Sequence, residues 1–333
     1  MLSCFCNPVC RLGIAVVSFS LLVFTFDRVS AADRLTGLHS AQVMSQSMPW
    51  IAQEAGLFKK YDLDFRLVFI PSSPVATAAT LNGDAEIGVT GAIGNVRAYV
   101  QGFTDLVFIG GVKNILTHSI LGKPEIKRPE DLRGKKVGVG RFGGNTHYFT
   151  IQALKRFGMD ASKDIQTIQT GGGPETVAAL LSGNIDAAGL VAPGDSAAAS
   201  RGYRYVINGP ELRIPYGAAQ FVTLRSVIAK RGPVMGRFMR VMAESSKILH
   251  TDKNFVYKVL GKYLRITDTK VLDAAYQSEI PALERRLEIH DAALQASLDE
   301  IAPTDPRAKA IKPQELIDRR YLVELEKSGV FDK

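Results

Sequence analysis

Ala78-Ala79-Thr80-Leu81-Asn82-Gly83-Asp84-Ala85-Glu86-Ile87-Gly88 and Ala178-Ala179-Leu180-Leu181-Ser182-Gly183-Asn184-Ile185-Asp186-Ala187-Ala188 share one pattern at matching places in the chain. Each reads as the end of a helix, then Leu-x-Gly-[Asp/Asn], then an apolar, acidic, apolar strand. The glycine is the natural terminator, because it enters the left-handed conformation without steric cost. One such turn occurs in any αβ unit. Its recurrence at the same position in two units points to two similar lobes, each with a helix, a tight turn and a strand leading to a shared cleft.

Outward from these copies, strands and helices alternate. In the first unit, residues 35–40, 64–70, 85–89 and 106–112 read as strands; 48–61, 76–81 and 93–101 read as helices on apolar spacing. In the second, strands over 136–139, 165–170 and 185–190 alternate with helices over 146–157, 174–182 and 195–201. This alternation predicts an α/β fold with largely parallel strands. Beyond residue 224 the texture turns helical (233–250, 270–280, 290–301, 313–326), and this third is expected to return to the first lobe. Lobe 1 is then 32–120 plus 222–333, and lobe 2 is 121–221. The chain crosses between them near 119–124 and 217–223.

The first residues have a different character. Arg11 precedes an uncharged stretch from Leu12 to Phe26, and Val29-Ser30-Ala31-Ala32 is a small-residue site. A basic start, a short apolar core and small-x-small make residues 1–31 an export signal, cleaved after Ala31. The stretch is short for a spanning helix, which needs about 20 apolar residues. Cys4, Cys6 and Cys10 all precede the apolar core, so the mature chain is expected to carry no disulfide, no thiol nucleophile and no lipid-modified cysteine. The full chain holds 41 basic against 33 acidic residues. The excess is spread along the sequence with no nucleic-acid motif, so solubility explains it without a nucleic-acid partner.

Four segments resemble a known family: residues 49–58 (PWIAQEAGLF), 81–88 (LNGDAEIG), 129–139 (PEDLRGKKVGV) and 321–330 (YLVELEKSGV). In order and spacing they resemble the solute-binding proteins of ABC importers of the thiamine-pyrimidine, sulfonate, taurine and nitrate class. The resemblance implies a type II periplasmic-binding-protein fold with two α/β lobes and two crossover segments. It also implies periplasmic capture of a small organic molecule, anionic or heteroaromatic, and delivery to an ABC-transporter permease. No cofactor, metal or nucleic acid is expected, and the chain is expected to act as a monomer.

Ligands of open α/β sheets sit beyond the carboxyl ends of strands, where helix N-termini offer free N–H groups and positive partial charge. Four loops meet that description. Ser45, Gln46 and Ser47 follow the first strand, with Ser47 equally suited to capping the next helix; Trp50 follows, either on the ligand or in the helix's buried face. Thr90, Gly91 and Ala92 close the first copy of the repeat. Phe142, Gly143, Gly144, Asn145 and Thr146 form a glycine turn into a helix, with Arg141 as an added charge and Asn145 or Thr146 as the cap. Ala192 and Pro193 follow the second copy, Asp195 reading as a cap. Gly172, Gly173 and Pro174 are expected to border the same cleft, and Gln220, near the second crossover, to reach either the ligand or only the hinge. An enzyme on the same scaffold is the first alternative, but the sequence shows no HExxH, Walker A or convincing GxSxG. A ligand-reading partner of a membrane sensor is the second.

Overall fold

The computed structural model describes residues 32–332. The expected export signal, its cleavage site after Ala31 and the three cysteines lie outside the described residues.

The chain begins with β1 (Asp33–His39), α1 (Met48–Glu54), α2 (Leu57–Lys60), β2 (Leu63–Phe69), α3 (Ser73–Leu81), β3 (Ile87–Thr90), α4 (Ala92–Val100) and β4 (Leu106–Leu116). It continues with β5 (Ser119–Gly122), β6 (Lys136–Val139), α5 (Asn145–Arg156), α6 (Ala161–Asp164), β7 (Gln166–Gln169), α7 (Gly173–Leu181), β8 (Ala187–Leu190), α8 (Gly194–Ala199), β9 (Arg204–Ile207) and α9 (Gly209–Leu212). Then come β10 (Ile214–Leu224), α10 (Arg225–Thr251), α11 (Lys253–Leu264), α12 (Thr269–Glu279), α13 (Asp291–Ile301) and α14 (Arg320–Ser328). The single helix expected over 48–61 is two, because Gly56 at φ 68° turns the chain between α1 and α2.

The repeated segments fold alike. Gly83 and Gly183 end α3 and α7 at φ 80° and 77°. Asn82 and Ser182 donate their N–H to Ala78 and Ala178 at 3.0 and 2.9 Å. The acid of each copy splices its strand to a neighbour. The Glu86 N–H bonds the Thr36 carbonyl while its carboxylate accepts from the Thr36 N–H; Asp186 does the same with Lys136.

Two five-stranded sheets result, in the orders β2-β1-β3-β10-β4 and β7-β6-β8-β5-β9. In each, three adjacent strands are parallel, and the strand arriving from the other half lies antiparallel beside them. Residues 119–122 and 217–223, expected as crossing segments, are strand instead. β5 belongs to the second sheet, and β10 runs along β4 with bulges between Pro215 and Val222. A chain this buried must pair its backbone groups, and ladder hydrogen bonds do so.

The main core lies where α10 crosses the first sheet, with Phe108, Phe221, Phe238 and Met239 fully buried. The helix expected from Pro233 begins earlier, at Arg225, and kinks at Arg231 (φ −134°, ψ 31°), just before the proline that breaks the ladder. A second apolar cluster lies in the second half, around Leu121, Leu180, Ile185, Leu190 and Ala198. α13 packs on β10 and α4, and α14 on β4. α12 reaches across to α8 of the other half.

Candidate functional site

The carboxyl ends of β1, β2, β6, β7 and β8 open on one cleft between the sheets. Residues following those strands line a cavity of about 110 Å³, among them Ser40, Ser72, Gly140, Gly172 and Val191. Three helices of more than two turns begin at its wall, α3 at Ser73, α5 at Asn145 and α7 at Gly173, and no side chain caps any of them. Their first-turn N–H groups favour negative charge. At α7 the Glu175 carboxylate folds back over Gly172, so the attraction rests on α3 and α5.

In the first loop, Ser45 and Gln46 line the cavity. The Gln46 amide is already engaged: its Oε1 accepts from the N–H groups of Ser40 (2.8 Å) and Ala41 (2.9 Å), and its Nε2 donates to Ser40 Oγ. Ser47 does not line the cavity; it occupies the N-cap position of α1, but its hydroxyl donates to the Met44 carbonyl at 2.7 Å and makes no cap hydrogen bond. Trp50 lies in the packed face of α1, stacked on Tyr263 at 5.2 Å and meeting His39 edge-on.

Thr90, Gly91 and Ala92 do not line the cavity, and Asn145 packs directly over Gly91. A Cβ on Gly91 would stand 2.0 Å from Asn145 Oδ1. That oxygen accepts from the hydroxyls of Tyr216 (2.9 Å) and Ser73 (3.3 Å), while Asn145 Nδ2 donates to the Ala218 carbonyl at 2.9 Å. The Tyr216 hydroxyl also takes a backbone hydrogen bond from Ile93, in the first turn of α4. Gln220 lies behind this layer, donating to the Lys113 carbonyl.

In the glycine turn, Arg141, Gly144, Asn145 and Thr146 line the cavity. The cap of α5 is Gly144, not Asn145 or Thr146. Gly143 stands off the wall at φ 74°, its N–H donating to His147 Nδ1 at 3.2 Å. Burial holds His147 below the ordinary histidine range, in keeping with an accepting ring nitrogen. Phe142 is 53% exposed and packs edge-on against His147 rather than facing the cavity. Ala192 is buried behind Pro193, to which a cis bond joins it, and Asp195 bonds its neighbour Ser196 rather than occupying the cap position of α8. Burial pushes the Asp195 carboxyl up.

Lys113, His118 and Ser72 are among the cavity residues that the sequence reading missed. Lys113 is buried at the end of β4, its ammonium 2.6 Å from Glu279, with Thr117 bonded to both. His118 follows, 6% exposed, its Nδ1 without a hydrogen-bond partner. Burial, with the Lys113 ammonium beside it, pushes His118 down to about 3, so the ring is neutral at neutral pH. Ser72 holds φ 80°, a region non-glycine residues rarely enter, and its Oγ is also unpartnered. No sequence pattern marks these positions: Lys113 sits inside an apolar strand, and the other two lie in short connections.

A larger chamber of about 300 Å³ adjoins the first, sharing Gln42, Val43, Thr146 and Val191 with it. Pro193 lies on this second wall. Among the described residues no group of three or more His, Cys, Asp or Glu is placed to hold a metal.

The family model described as NMT1/THI5 like matches residues 47–252. The "Taurine-binding periplasmic protein" of Escherichia coli (strain K12) is 34% identical over 116 residues, which are 34% of this chain and 35% of that protein. The chain thus spans about a third of the length of that curated relative. The alkanesulfonate-binding protein SsuA from Xanthomonas axonopodis pv. citri, solved bound to MOPS, superposes with a TM-score of 0.70 at 20% identity, covering 87% of this chain and 96% of that one. The desulfurization enzyme DSZB superposes with a TM-score of 0.66 at 13% identity, covering 89% and 99%. These likenesses establish the periplasmic-binding-protein fold, a scaffold that carries both binders and an enzyme.

Proposed function

The chain belongs to the NMT1/THI5-like family, and from that premise we propose that it captures a small organic anion in the cleft between its sheets and presents it to an ABC-importer permease in the periplasm. The observation that carries this reading is the cavity's unfilled polarity. His118 and Ser72, each with a buried polar atom that has no hydrogen-bond partner, line the cavity where α3 and α5 begin without a side-chain cap, and no acidic side chain lines that cavity among the described residues. A buried polar atom left unpaired costs about 1–3 kcal/mol, which a ligand's acceptors and donors offset. Lys113 spends its charge on Glu279, so the recognition we propose rests on neutral donors, helix N-termini and the exposed Arg141.

The binding set then comprises Ser45, Gln46, Gly144, Asn145 and Thr146, joined by Ser72, His118 and Arg141, with Pro193 beyond them. The two lobes, 32–116 with 214–332 and 119–212 as the sheets divide them, close on the ligand by hinge motion. The ligand supplies the contacts that favour the closed state. Capture needs no nucleophile or general acid. Glu86 and Asp186 are tied into strand pairing and into bonds with Arg231 and Lys123, so neither stands as a free catalytic carboxylate.

Thermal unfolding of the protein with a panel of small sulfonates, carboxylates and phosphates tests the reading. A ligand at a hundred times its Kd adds about 2.7 kcal/mol of stability. A raised midpoint with at least one member, and recovery of that compound chemically intact, is the expected outcome. Conversion of the compound, or no shift with any member, contradicts it.

A further inference from the structure

The two adjoining chambers differ in chemistry. The smaller is lined by His118 and Ser72, each with a buried polar atom that has no hydrogen-bond partner, and by the starts of α3 and α5, which no side chain caps. The larger is walled by Val177, Leu190, Val191, Ala197, Leu264 and Ile266, and no charged side chain lines it among the described residues. Of its polar lining, the Thr176 hydroxyl is already bonded to Thr170 and to the Gly172 carbonyl. Leu264 ends α11 and Ile266 follows it in the connection to α12, so the helical C-terminal third closes this end of the cleft.

From this juxtaposition we propose that the ligand is an amphipathic organic anion, its charged head in the smaller chamber and an apolar body larger than one six-membered ring in the other. The inference rests on the capture reading above. A cavity of about 150 Å³ takes benzene, and this chamber is about 300 Å³. The first, at about 110 Å³, has room for a head group alone. The shared wall of Gln42, Val43 and Thr146 lets one molecule occupy both. A short zwitterion would leave the apolar chamber to water, which finds few partners there.

Titration calorimetry of the protein with ethane-, butane-, hexane- and octanesulfonate, with the matching carboxylates and with hexanol and octanol, tests the proposal. Affinity is expected to rise roughly three- to fourfold per added methylene until the chamber fills, and the alcohols are expected to bind at least about tenfold more weakly than the anions. Ala197→Phe fills the chamber and Ile266→Asp places a carboxylate in it. Each is expected to cost hexanesulfonate tenfold or more while leaving ethanesulfonate unchanged, with an unaltered circular dichroism spectrum as the control. Ile266 is partly exposed, so the second variant keeps the test open if the first misfolds. Ethanesulfonate binding with no dependence on chain length overturns the amphipathic ligand and leaves capture standing. Alcohols binding as tightly as the anions overturns the head assignment. Binding of no anion overturns both.

Discussion

Asn145 is a place where the two halves of the cleft touch. It projects from the second half onto Gly91 of the first, and its amide is held by Ser73, Tyr216 and Ala218. Only a hydrogen at Gly91 leaves room for it. Gly91→Ala is therefore expected to hold the halves apart, with a larger radius of gyration in small-angle scattering and weaker ligand binding. Removing the obstructing side chain with Asn145→Ala in the Gly91→Ala background is expected to restore compactness. Asn145→Ala alone forfeits the amide's hydrogen bonds and leaves the Tyr216 hydroxyl short of a partner, a cost of about 1–3 kcal/mol in the closed form. Asn145 was legible as a cleft residue from the glycine turn before it. That its partner would be a glycine in the opposite half was not, because nothing in a linear pattern records contact between segments more than fifty residues apart.

At the scale of elements, the repeated helix–turn–strand was readable because each part has a local cause: the helix ends where glycine can turn left-handed, and the acid after it splices two strands. Gly83→Ala and Gly183→Ala are each expected to lower stability by about 1–2 kcal/mol in urea denaturation. Open space surrounds both positions, so the loss is purely conformational. Asparagine, which tolerates that region, should cost less. The strands β5 and β10 were not readable as strands. Their pairing is antiparallel and non-local, and a crossing segment of small and apolar residues looks the same whether it spans a gap or joins a sheet. Of the four loops chosen for the site, the glycine turn and the loop after β1 line the smaller cavity, and the loop after β8 lines both chambers through Val191 and the larger through Pro193. Thr90–Ala92 stays off the cavity wall, with Asn145 lying over Gly91, and Phe142 packs against His147 instead of facing the cavity.

For the whole molecule, stability and closure depend on buried groups that the folded chain holds uncharged. His118 titrates about 3 when folded against an ordinary 6.5. Between those values the unfolded chain binds a proton that the folded chain refuses. The contribution is intact above pH 6.5 and drains away as the pH falls toward 3. His39 and His147, also lowered by burial, act with the same sign, while the raised Asp195 opposes them. Between pH 7 and pH 5 the protein is expected to lose about 2 kcal/mol through His118 alone. His118→Asn should flatten that part of the urea-midpoint profile, and an unchanged slope would place the loss elsewhere.

The central claim is that two matching halves grip a guest and release it unaltered. Native mass spectrometry of protein purified under mild, unwashed conditions tests it most directly. The account predicts a species heavier than the bare chain by the mass of one small organic anion, which dissociates intact and rebinds. A covalent adduct, or a compound that returns chemically changed after incubation with fresh protein, would contradict it.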